Sequence, residues 1–106
     1  MIVSEDLQFN DICEEDIVIE PGGFLTLSGI ANKNITVKNN GILTLNGICD
    51  GDIHISENSK VIIRGIANAN VVNYGKLQIS GIVNHLINFS DDAEILPGSV
   101  VDGVQR

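Results

Sequence analysis

The chain has 106 residues, 43% of them hydrophobic and 4% aromatic, and its 14 Asp and Glu outweigh 6 Lys and Arg to leave a net charge of −8. That length fits one domain. So acidic a balance disfavours nucleic-acid binding, which needs clustered cations, and no apolar run reaches the roughly 18 residues of a membrane span.

In chain order, the opening Met1-Ile2-Val3-Ser4-Glu5-Asp6 lacks the basic segment and apolar block of a secretory signal. Leu7 and Phe9 then stand two apart, the spacing of side chains on one face of a strand. From Ile12 onward one series of elements recurs. The first coil has Ile12, the apolar pair Ile17/Ile19, the turn Pro21-Gly22-Gly23 and the pair Leu25/Leu27. The second starts at Gly29-Ile30 and continues through Ile35/Val37, Asn39-Asn40-Gly41 and Leu43/Leu45. The third starts at Gly47-Ile48, with Ile53/Ile55, Glu57-Asn58-Ser59 and Val61/Ile63. The fourth starts at Gly65-Ile66, with Val71/Asn73, a shortened turn at Tyr74-Gly75 and Leu77/Ile79. The fifth starts at Gly81-Ile82 and is read through Ile87/Phe89 and Ile95/Pro97, after which Val100 opens a partial coil.

The Ile column Ile12, Ile30, Ile48, Ile66, Ile82 therefore advances by 18, 18, 18 and 16 residues. A fixed period of this length marks a solenoid, whose single repeat cannot bury its apolar face alone. Pairs two apart, rich in Ile and Val, read as strands, and the Gly, Asn and Pro clusters between them read as turns. The predicted fold is all-β, a right-handed parallel β-helix of about five coils of ~18 residues, one domain over 1–106 with partial coils at 1–10 and 99–106. A left-handed hexapeptide helix fits less well, because Thr36, His54, Lys60, Asn88 and Glu94 interrupt its required aliphatic sites. Stacked antiparallel hairpins would not place the same residue in each column. The Ile column and the apolar pairs are expected to fill the core, so Ile48→Asp is expected to unfold the chain.

Cys13 and Cys49 fall in one column, two coils apart, about 9–10 Å on strand spacing and too far for a disulfide. With Ala31 and Ala67 between and beyond them they read as small packed side chains. Reduced cysteines and the absence of an export signal predict a cytoplasmic protein. The column Glu14, Asn32, Asp50, Asn68, Asn84 is read as a corner ladder of hydrogen-bonding side chains.

Catalytic patterns are missing. His54 lies between Ile53 and Ile55 and should point outward, His85 sits in a turn, and no nucleophile elbow, phosphate loop or H-E-x-x-H occurs. Asp50-Gly51-Asp52 offers two carboxylates but not the further ligands of a Ca²⁺ site. The sequence thus predicts no enzyme, no catalytic residue, no cofactor and no metal. Charge, in contrast, is unevenly placed. Residues 1–20 hold Glu5, Asp6, Asp11, Glu14, Glu15, Asp16 and Glu20 with no Lys or Arg, and 91–106 hold Asp91, Asp92, Glu94 and Asp102 against Arg106.

The recurring G-I-x-x-x-I-x-V followed by G-x-L-x-L-x-G, at Gly29 to Val37, Gly41 to Gly47 and Gly75 to Gly81, resembles the β-helix core of bactofilins. The closing Leu96-Pro97-Gly98-Ser99-Val100-Val101-Asp102-Gly103 is similar to the end of that core. The resemblance implies a polymer-forming cytoskeletal subunit that stacks end to end without nucleotide. Stacking here would bring acidic ends together, which disfavours the interface. The first expectation is therefore an acidic protein-binding module, such as an immunity or inhibitor protein that neutralises a basic bacterial toxin, for example a nuclease. Glu14, Glu15 and Asp16, with Asp50 and Asp52 as a second patch, are its expected partner-binding residues, and a basic protein its partner. The filament subunit is the alternative.

Overall fold

The structure is a computed structural model that describes residues 1–105; Arg106, the last residue of the expected partial coil, lies outside them. The first three full coils each contribute three short strand segments, in the first Ile12–Cys13, Ile17–Ile19 and Phe24–Leu27, and in the fourth and fifth the first two are fused as Ile66–Asn73 and Ile82–Asn88. Each pairs in parallel with its equivalent one coil on, Ile12 with Ile30, Ile17 with Ile35 and Leu25 with Leu43. The chain is thus an all-β parallel solenoid of about six turns, partial ones included. The turns between segments hold Gly22, Asn40 and Asn58 at positive φ of 84°, 64° and 59°. Gly and Asn are the residues that tolerate this left-handed region.

The alternating pairs form the core. Ile17/Ile19, Ile35/Val37, Ile53/Ile55, Leu25/Leu27, Leu43/Leu45 and Val61/Ile63 all have zero exposure. Stacked one coil apart, about 4.8 Å, they leave a thin aliphatic interior. Cys13 and Cys49 are buried and free, as their spacing predicts.

The Ile column is not part of that interior. The inward residues at this corner are its neighbours Cys13, Ala31, Cys49, Ala67 and Val83. Ile12 is 54% exposed and Ile82 37%, while Ile30, Ile48 and Ile66 are half-buried on the outer surface. The strand Ile66–Asn73 shows why, because it runs unbroken through the corner. Strand alternation then turns Ala67, Val71 and Asn73 inward and Ile66 outward. The inward position at this corner is held by Cys, Ala or Val. A charge at Ile48 would meet solvent, so Ile48→Asp is not expected to unfold the chain.

The fifth coil is also registered differently from the sequence reading. Ile66 pairs with Ile82, but after an irregularity between Ala67 and Asn70 the pairing becomes Val71 with Leu86 and Asn73 with Asn88. A one-residue slip exchanges inside for outside. Ile87 and Phe89, expected in the core, are therefore 41% and 63% exposed. Similarly Leu77 pairs with Ala93 and Ile79 with Ile95, so Pro97 belongs to a turn and not to the strand. Asn73 remains inward and fully buried. Its Nδ2 donates to Asn88 Oδ1 at 2.9 Å and its Oδ1 accepts from the Gly75 N–H at 3.0 Å, which satisfies both ends of the amide.

At the ends, the strand Asp6–Phe9 pairs on one side only, with Phe24–Leu27, and leaves an open edge. At the other end Val100–Val101 is covered by the antiparallel strand Val104–Gln105.

Candidate functional site

The corner that follows the Ile column gathers the expected partner-binding residues. Because Cys13 pairs with Ala31, and Ala31 with Cys49, the linking tripeptides stack: Glu14-Glu15-Asp16, Asn32-Lys33-Asn34, Asp50-Gly51-Asp52, Asn68-Ala69-Asn70. Glu14, Glu15, Asp16, Asp50 and Asp52 thus share one edge of the solenoid, in two groups about 9.6 Å apart along its axis. Lys33 lies on the rung between them and forms no ion pair among the described residues.

These carboxylates do different work. Asp16 Oδ1 accepts the Asn34 N–H at 3.1 Å, Asn34 Oδ1 the Asp52 N–H at 2.8 Å, and Asp52 Oδ1 the Asn70 N–H at 3.0 Å. These three side chains each satisfy a backbone donor of the next coil. Asp102 acts in the opposite direction, its Oδ1 accepting the Leu86 N–H of the preceding coil at 2.9 Å. The column alternates Asp, Asn, Asp, Asn, which keeps like charges from neighbouring rungs, where they would repel. Glu15 turns to the N-terminal ammonium of Met1, and that hydrogen bond and charge hold its carboxyl below the ordinary value. Asp50 accepts from Asn68 Nδ2 at 2.7 Å, and Asn84 Nδ2 contacts Asn68 O at 3.2 Å, so the expected Asn ladder forms over these three rungs. Asp50 and Glu14 remain exposed and cap no backbone donor of the next coil.

Two residues earlier on the same outer face stands the Ile column, parallel to the acidic edge. Its other flank is bare, because the preceding glycines carry no side chain. A Cβ on Gly47 would fall on the carbonyl oxygen of Gly29, and one on Gly65 on that of Gly47. The glycines are required by this close approach, and they open a groove of about 310 Å³ along Gly29, Ile30, Gly47 and Ile48. The result is an aliphatic ladder with a shallow groove on one side and carboxylates on the other.

A second exposed feature lies toward the C-terminal end, where Tyr74 and Phe89 stack with centroids 4.9 Å apart and His54 tilts against Tyr74 at 5.7 Å. His54 pairs with Val72, and His85 with Asn70, so the two histidines occupy different columns. Among the described residues no cluster of three or more His, Cys, Asp or Glu is arranged to hold a metal, and no helix is long and apolar enough to cross a membrane. The Cys49 thiol is pushed up to about 11, chiefly by burial and further by Asp50 and Asp52.

No family model, curated protein or solved structure matches the chain. The sequence reading found the acidic corner but missed the ladder beside it, because it placed those isoleucines inside. Strand alternation carried through Ile66–Asn73 was the signal that distinguishes the two faces. The aromatic stack was hidden by the register slip in the fifth coil.

Proposed function

We propose that the protein is a non-enzymatic binding module for a basic protein. The observation that carries this is the convergence of Glu14, Glu15, Asp16, Asp50 and Asp52, up to 38 positions apart in sequence, on one corner beside the exposed Ile12 and the half-buried Ile30 and Ile48. An apolar strip bordered by charge has the composition of a protein interface, with a dry centre and a polar rim. Pinning by backbone N–H groups preorganises Asp16 and Asp52, so little side-chain entropy is lost when a cation arrives. An inhibitor of a cationic toxin domain, such as a nuclease, fits this chemistry, since steering by opposite charge speeds capture. The absence of enzymatic activity belongs to the same proposal, as does the absence of a cofactor.

The test is zero-length carboxyl-to-amine cross-linking in the cells that make the protein, with the cross-linked carboxylates mapped. Links from Glu14 and Asp50 to lysines of one protein are expected, lost on Glu14→Lys with Asp50→Lys. These two positions are chosen because reversing Asp16 or Asp52 would also remove a backbone cap. Links confined to other carboxylates would refute the reading.

The rival is a bactofilin-like subunit that stacks into filaments. The open edge of Asp6–Phe9 favours it, since an unpaired strand edge recruits strands. At the other end the Val104–Gln105 cover over Val100–Val101 opposes it, while Ala93–Ile95 is left as an open edge. Filaments of the wild type at physiological salt, seen by electron microscopy with no partner cross-linked, would replace the first reading with this one.

A further inference from the structure

The ladder has a spacing, and the spacing selects what can lie along it. Ile12, Ile30, Ile48, Ile66 and Ile82 occupy successive rungs of one outer face, about 4.8 Å apart, so the ladder is roughly 19 Å long. An amphipathic helix repeats its apolar residues every ~3.5 positions at 1.5 Å each, or about 5.3 Å. Over the whole ladder its mismatch is about 2 Å, which side-chain rotamers absorb. An extended strand laid in the same direction repeats one face every ~6.7 Å and drifts by roughly 8 Å over the same length. A strand laid across the ladder meets a single rung.

The charges agree with the helix. Glu14 and Asp50 stand on the same side of the ladder, two rungs and about 9.6 Å apart. Residues seven apart on a helix are separated by about 10.5 Å and lie on one face. A helix with its apolar stripe on the isoleucines can therefore present one cation to each carboxylate. The glycine-lined groove beside Ile30 and Ile48 gives its backbone room to approach.

We infer that the ladder docks a cationic amphipathic α-helix of a partner protein, laid along the solenoid axis, with lysines or arginines seven residues apart meeting Glu14 and Asp50. This rests on the protein-binding reading above and specifies its occupant.

The probe is a 15-residue helical peptide with Leu at heptad a and d positions and Lys at one flank seven apart. Its control has the same composition with Leu and Lys alternating. Both are titrated into the ¹⁵N-labelled full chain near 150 mM salt. The helical peptide should perturb amides along Ile30, Ile48 and Ile66 and along the corner, and bind about tenfold or more tightly than the control. Ile30→Thr with Ile48→Thr keeps β-branching and should weaken binding about tenfold or more. Glu14→Lys with Asp50→Lys should weaken it as much while leaving the melting curve in place, and should reduce its salt dependence. Equal binding of the two peptides would overturn the inference, as would no binding. So would perturbation centred on Tyr74 and Phe89, or dimerisation of the chain that the Ile variants abolish, which would make a second copy the occupant. If cross-linking still runs through Glu14 and Asp50 while the helical peptide fails, the helix is wrong and the protein-binding reading stands.

Discussion

Ile48 and Ile53 lie in the same coil, five residues apart, and differ chiefly in the direction they face. Ile53 has zero exposure, with Ile35 and Val71 as its paired neighbours, whereas Ile48 is half-buried on the outer ladder. Replacing each with Ala removes the same carbon atoms. At Ile53 the loss is the transfer free energy of three buried carbons, about 0.8 kcal/mol each, plus a cavity that the stacked coils cannot close, so about 3–4 kcal/mol is expected. At Ile48 no cavity forms, since water enters from the open side, and about 1 kcal/mol is expected from partial burial and lower strand propensity. Urea unfolding followed by far-ultraviolet circular dichroism measures both, with slopes compared because a solenoid can lose cooperativity. The midpoint should fall about three times as far for Ile53→Ala as for Ile48→Ala. Equal losses, or a larger one at Ile48, would place the ladder in the core and remove the docking surface.

Stability should also fall as pH rises from about 9 to about 11, the ordinary and folded values of Cys49. The folded state holds the thiol proton that the unfolded state gives up, so the contribution is full below 9 and is lost through 11. Cys49→Ala, which copies Ala31 and Ala67, should flatten that fall in urea midpoints measured across the range. Gly47→Ala should cost about 2 kcal/mol or more by thermal melting, because its methyl would meet the Gly29 carbonyl. A loss of a few tenths would mean that the glycine stack is looser than described.

The core pairs were legible because two constraints coincide in them. Ile35/Val37 and Leu43/Leu45 show strand spacing within a coil and the coil period between coils. The Ile column satisfied only the second. Periodicity shows that a position repeats, not which way it faces, and a large apolar side chain invited the wrong choice over the small Cys and Ala beside it. The fifth coil failed for a different reason. A single residue lost between Val83 and His85, relative to Ala67 and Asn70, leaves composition unchanged but reverses every later side chain until the next turn. The acidic corner could be located, since its residues fall in adjacent columns. The separate roles of Asp16 and Asp52 as caps depend on carboxylate-to-amide distances, which no spacing encodes.

The alternation of Asp16, Asn34, Asp52 and Asn70, matched inside by Cys13, Ala31, Cys49 and Ala67, makes the true unit of this molecule two coils and not one. Lengthening the rod in even steps therefore leaves both alternations intact. Duplicating 29–64 preserves both alternations, while duplicating 47–64 alone sets Asp on Asp at the edge. Growth by pairs also keeps the carboxylates at a constant linear density, so a longer descendant would carry the same pattern of charge over a greater reach.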